Sequence, residues 1–133
     1  MCLSIKVDRP ECVLSEGEHA GYEFVTVHNG NGFRCGYVRV PKGHPWHGKG
    51  YDDIEADVHG GLTFAEPDKP CDKPGEDDAY WVGFDCGHHN DAQDPSLPSE
   101  RVYHNTYGGV VRTQEYVEDQ CRRLCEQAAA ASP

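Results

Sequence analysis

YEFVTVH at residues 22–28, NGNG at 29–32 and FRCGYVRV at 33–40 decide how this chain is read. Both flanking runs alternate, and both are rich in β-branched and aromatic residues, which suit a pleated surface buried on one or both faces. Between them, Asn29-Gly30-Asn31-Gly32 offers residues that tolerate positive φ, as a tight reversal requires. The three pieces together predict a β-hairpin, and Pro41 ends its second strand because proline has no amide to donate.

Working outward, residues 79–85 (AYWVGFD) form the most apolar short run and read as a central strand. Residues 53–58 are expected as a short strand, ended by the tight backbone at Gly60-Gly61. Residues 66–78 combine prolines with acidic side chains and predict an exposed acidic loop. Residues 1–20 are mixed and polar, with weak structure expected. Thr113 is a good N-cap and Glu115 suits a helix first turn. Val117, Cys121, Leu124, Cys125 and Ala128 then recur at helical spacing, so a helix over 113–129 presents an apolar face. The expected fold is a single α+β domain over 1–133, a small curved antiparallel sheet with one main C-terminal helix packed on it.

Only 23 of the 133 residues are Ile, Val, Leu or Phe, while seven Cys and eight His supply fifteen soft-metal donors. A thin apolar supply in a small domain raises the question of a metal staple. The formal charge of −11 sits entirely within residues 52–94, which hold 13 acidic and 2 basic side chains. Such a surface repels nucleic-acid phosphates, so no nucleic-acid partner is expected. It suits a metal cation or a basic partner protein, with a solvated acidic loop as the bland alternative. No apolar run reaches the ~20 residues that span a bilayer, so no membrane partner is expected. Lys6, Asp8, Arg9 and Glu11 interrupt the N-terminal stretch, which reads as cytoplasmic, and an odd cysteine count suits reduced thiols.

Three segments concentrate reactive groups. In Asp57-Val58-His59-Gly60-Gly61, the carboxylate and imidazole at i and i+2 share a face of an extended segment. Asp57 is expected to orient His59, and the amides of Gly60 and Gly61 to cradle an anion. The bland alternative is a hydrogen-bonded histidine in a tight turn. In the densest group, Asp85-Cys86-Gly87-His88-His89-Asn90-Asp91, the donors Asp85, His88, His89 and Asp91 follow a buried strand. With His59 they form the expected ligand set for zinc or a similar divalent metal. Cys86 reads equally well as a small buried hydrophobe. In the third segment, His44, Trp46, His47, Tyr51 and Asp52 suggest a mobile lid whose rings stack on a ligand, or an exposed polar loop.

The remaining signals point to packing. Cys121 and Cys125 lie on the apolar helix face, Cys35 alternates within a strand, and no CxxC pair exists. Nucleophile-elbow, P-loop, dinucleotide-binding and EF-hand patterns are all missing from the sequence.

The strings Gly36-Tyr37-Val38-x-Val40-Pro41-x-Gly43-His44-Pro45-Trp46-His47-Gly48, Tyr51-Asp52-Asp53, Asp57-Val58-His59-Gly60-Gly61-Leu62-Thr63-Phe64 and Trp81-Val82-Gly83-Phe84-Asp85-Cys86-x-His88 resemble a group of small hypothetical proteins of bacteriophages and their bacterial hosts. The resemblance covers residues 33–91 with Tyr116-Val117. It brings no established activity, and implies a phage or prophage setting in which the protein acts on a host component or counters host defence.

Two functions are therefore expected. One is a metal-dependent hydrolase of a small or phosphorylated substrate, with His59, Asp57 and His88 as acid–base groups. The other is a non-enzymatic protein that sequesters a nucleotide-like ligand or masks a host protein. The histidines carry this signal, since five of the eight fall in the three segments.

Overall fold

A computed structural model describes residues 8–68, 79–99 and 109–132. Strands β1 (Val13–His19), β2 (Tyr22–His28), β3 (Arg34–Val40), β4 (Phe64–Pro67) and β5 (Tyr80–Asp85) make one antiparallel sheet in the order β1-β2-β3-β5-β4. A parallel pair of two-residue strands, β6 (Asp91–Ala92) and β7 (Val110–Val111), stands beside it. Helix α1 (Gln114–Ala131) follows, giving the expected α+β fold.

The predicted hairpin is β2–β3, in register from Phe24 opposite Val38 to His28 opposite Arg34. Asn29 organises its turn, because its side-chain Oδ1 accepts from the amides of Asn31 (2.8 Å) and Phe33 (3.3 Å). The predicted central strand is β5, with β3 on one side and β4 on the other.

Alternation along these strands builds two apolar layers. Phe24, Val38, Val40, Val82 and Phe84 face α1 and meet Val117, Cys121, Leu124, Cys125 and Ala128. Val25, Val27, Cys35, Tyr37 and Trp81 face the other way and pack with Cys12. The helix packs tightly over Gly36, where a β-carbon would collide with Cys121 Sγ and the Phe84 ring. Glycine there lets the helix lie against the sheet.

Four expectations change. Residues 13–19, read as weakly structured, form β1, whose burial alternates because it is a sheet edge. Residues 53–58 form no strand; a 3₁₀ turn at Tyr51–Asp53 leads into an extended segment that docks on α1. Glu66 and Pro67, placed in the acidic loop, close β4. Asp68 is buried, bonded by Trp81 Nε1 at 2.5 Å and Arg39 at 3.2 Å. The rest of that loop, residues 69–78, lies outside the described residues, as do Cys2, His104 and Tyr107. Among the described residues, no helix is long and apolar enough to cross a membrane.

Candidate functional site

The site forms where the segment 57–63, the turn after β5 and the first turn of α1 meet. A polar stripe on the helix receives the segment. Tyr116, Gln120, Arg123 and Gln127 recur at i, i+4, i+7 and i+11, hence on one face. Gln127 accepts from the Asp57 amide (2.6 Å) and donates to the Asp57 carbonyl (2.8 Å), as a neighbouring strand would. Gln120 accepts from the His59 amide at 2.9 Å. Asp57 and His59, expected to act together, have different partners. The Asp57 carboxylate, largely exposed, pairs with Arg123 and does not orient His59.

Asp91 takes that role. Its carboxylate lies 2.9 and 3.0 Å from His59 Nε2. Oδ1 also accepts from Arg112 Nε at 2.7 Å, and Oδ2 from the His88 amide at 3.0 Å. The β6–β7 ladder explains the Arg112 contact, because it pairs Asp91 with Val110 and so brings Arg112, just past β7, alongside. The Asp91 side chain is 1% exposed. Burial opposes its charge, but Arg112, His59 and the His88 amide outweigh that and hold its carboxyl below the usual range. Arg112 is correspondingly held above its ordinary value by Asp91.

An ionised Asp91 can only accept, so His59 Nε2 carries the hydrogen of the neutral ring. Nδ1 is then an acceptor, and the Tyr116 hydroxyl donates to it at 2.8 Å. Four side chains form a chain of contacts: Tyr116, His59, Asp91, Arg112. The Arg112 guanidinium also lies 5.3 Å from the Tyr116 ring centroid. Thr113 fixes the turn that carries Tyr116 by accepting from its amide at 3.2 Å.

His88 stands beside His59, the two ring centroids 5.9 Å apart. Its Nε2 is buried and makes no hydrogen bond among the described residues; Asp85 Oδ1 stands 3.2 Å away as a charge contact. Thr63 donates to the same Asp85 oxygen at 3.1 Å, and the Gly87 amide to Oδ2 at 3.2 Å. Gly60 has φ +67°, and the turn is closed by the Gly61 amide on the Val58 carbonyl (2.8 Å). That bond occupies one of the two amides expected to cradle an anion.

His59, Asp85, His88 and Asp91 thus converge, while His89 is exposed. Among the described residues, no group of three or more His, Cys, Asp or Glu side chains is placed to hold a metal ion. Both nitrogens of His59 and both oxygens of Asp91 already have hydrogen-bond partners. Cys86 is buried, and burial with nearby Asp91 pushes its thiol up. It packs in the core beneath the strand end.

The third segment belongs elsewhere. His44 is buried, with Nε2 donating to the Ala128 carbonyl (2.8 Å) and Nδ1 accepting from the Trp46 amide (3.0 Å). Trp46 is in the core at 5% exposure. This is a packed corner, not a lid, and Trp46 cannot stack on a ligand. His47 leans on the Tyr80 ring at 5.3 Å, while Tyr51 and Asp52 are exposed. Ala128 is twelve residues from Tyr116, about 18 Å along the helix.

Tyr116 and Arg112 escaped the sequence reading. Tyr116 entered only as part of the resemblance, with Val117, and Arg112 lay beyond every cluster. The stripe Tyr116, Gln120, Arg123, Gln127 was the available signal, since its residues can hydrogen-bond but recur at core-like spacing. Comparison with known proteins finds no matching family model, no matching curated protein and no matching solved structure.

Proposed function

We propose that this chain is a small hydrolase acting on an ester or phosphoester, with His59 as the group that moves the proton. The observation that carries the reading is the buried carboxylate of Asp91 on His59 Nε2. It fixes the tautomer that leaves Nδ1 a base, and its charge favours the imidazolium formed when that base takes a proton. Asp85, His88 and Thr63 are the polar side chains beside His59 that a small polar substrate would meet.

The sequestering alternative loses Trp46, which is core, from its stacking set, while Tyr51 stays exposed. A divalent cation keeps one supporting observation: the unbonded His88 Nε2 beside Asp85 Oδ1, a pair of donors facing each other. The test is release of nitrophenol from a panel of nitrophenyl esters and phosphoesters by the purified chain, with and without chelator. Turnover that His59→Gln lowers by about a hundredfold supports the reading, as general-base removal typically does. No turnover across the panel, or turnover untouched by His59→Gln, sinks it. Turnover abolished by chelator and restored by zinc moves the reading to the metal-assisted form.

A further inference from the structure

We infer that Tyr116 is the reacting hydroxyl of this site, with His59 as its base and Asp91 orienting that base. The inference rests on the proton-transfer reading above and deepens it by naming the nucleophile and an acyl electrophile as its substrate class.

The geometry is that of a nucleophile, base and orienting acid in series. The phenol donates to His59 Nδ1 at 2.8 Å, and His59 Nε2 donates to Asp91. Three observations single out Tyr116. The Thr63 hydroxyl is committed to Asp85, and the Cys86 thiol is buried in the core. Arg112 lies over the Tyr116 ring at 5.3 Å, a cation held against its π face. Both partners are also held in place, Tyr116 by the Thr113 cap and His59 by Gln120. Such fixed positions are what a near-attack arrangement requires.

In the step itself, the phenol oxygen bonds to the acyl carbon of an ester while its proton passes to His59 Nδ1. The bond from the acyl carbon to the alkoxide breaks, and the imidazolium protonates the departing alkoxide. Water then cleaves the acyl-tyrosine by the same route in reverse, returning the phenol and releasing the acid.

An aryl sulfonyl fluoride tests the first half-step without a known substrate. The phenol oxygen bonds to sulfur, the S–F bond breaks, fluoride leaves and the proton goes to His59. Peptide mapping of the whole purified chain measures labelling of Tyr116 against Tyr51, which is 44% exposed. Tyr116 is expected to react at least tenfold faster than Tyr51. The adduct should vanish in Tyr116→Phe. In His59→Gln the Tyr116 rate should fall to that of Tyr51, and in His59→Ala added imidazole should restore part of it.

Equal rates at Tyr116 and Tyr51 in the unaltered chain overturn the inference, whether or not the variants fold. A Tyr116 rate indifferent to His59→Gln in a folded variant also overturns it. Fast labelling with no turnover on the ester panel leaves the inference standing and removes the hydrolase reading. Turnover that survives Tyr116→Phe does the opposite.

Discussion

His88 lies across the α-carbon of Gly60, with no room for a side chain between them: a β-carbon on Gly60 would overlap the His88 ring at Nε2. Gly61, the next residue, has open space at the same position. Both have positive φ, +67° and +78°. Gly61→Ala should therefore cost only the left-handed strain, about 1 kcal/mol, and Gly60→Ala that strain plus displacement of His88, about 2 kcal/mol or more. Urea unfolding measures the difference. Equal losses would mean that His88 does not rest on the turn.

Asp91→Asn should lower stability by roughly 2 kcal/mol, because it leaves Arg112 and His59 without their shared anion. The amide can also turn its NH₂ toward Nε2, so the Tyr116 labelling rate should fall with it. A variant as stable as the parent would show that the carboxylate is dispensable.

Acid should unfold the protein from a definite side. Asp94 is held below its ordinary value by Ser96 and Arg34, Glu118 by Ser15 and Gln114, and Asp91 as described. A carboxyl lowered in the folded state contributes stability above its unfolded value, and that contribution is lost as pH falls through the folded value. Urea midpoints should therefore hold from pH 7 to 5 and fall below about pH 4. Asp91→Asn should flatten that fall. A midpoint that declines between pH 7 and 5 would point to other groups.

The buried thiols should be silent. Burial pushes Cys35 and Cys125 up to about 12, and raises Cys121 as well. With a thiolate fraction about a thousandfold below that of a free cysteine, these three should resist a disulfide reagent at pH 8 until urea is added. Rapid labelling of any of them in the native protein would mean that its layer opens.

His44→Ala should cost about 2 kcal/mol, since it strands the Trp46 amide and removes a donor from the Ala128 carbonyl. It should leave the Tyr116 to Tyr51 labelling ratio unchanged, because the corner it holds lies at the other end of the helix. A changed ratio would tie that corner to the site.

Much of the fold was legible because its signals are local. The alternation of residues 22–28 and 33–40, the Asn29 turn and the helical spacing from Val117 to Ala128 each lie within one element. Strand β1 was missed because an edge strand needs apolar side chains only at alternate, half-covered positions, and Val13 to His19 looks polar outside its pairing with β2. Residues 53–58 were misread for the opposite reason: the backbone of Asp57 is satisfied by the side chain of Gln127, not by a strand. In the site, His59 and Asp91 were legible as residues but not as a pair, since 32 positions separate them. Asp57 at i−2 was the nearer carboxylate, and Arg123 on the helix claims it.

The grip of Gln127 on Asp57 involves main-chain atoms alone, the amide and the carbonyl. Whatever side chain stands at position 57 is therefore carried along the same path toward His59. The route of the segment is set by the helix, while the chemistry displayed at that position is left open to change. Natural drift or a designer can rewrite that display residue by residue without first redesigning the support beneath it.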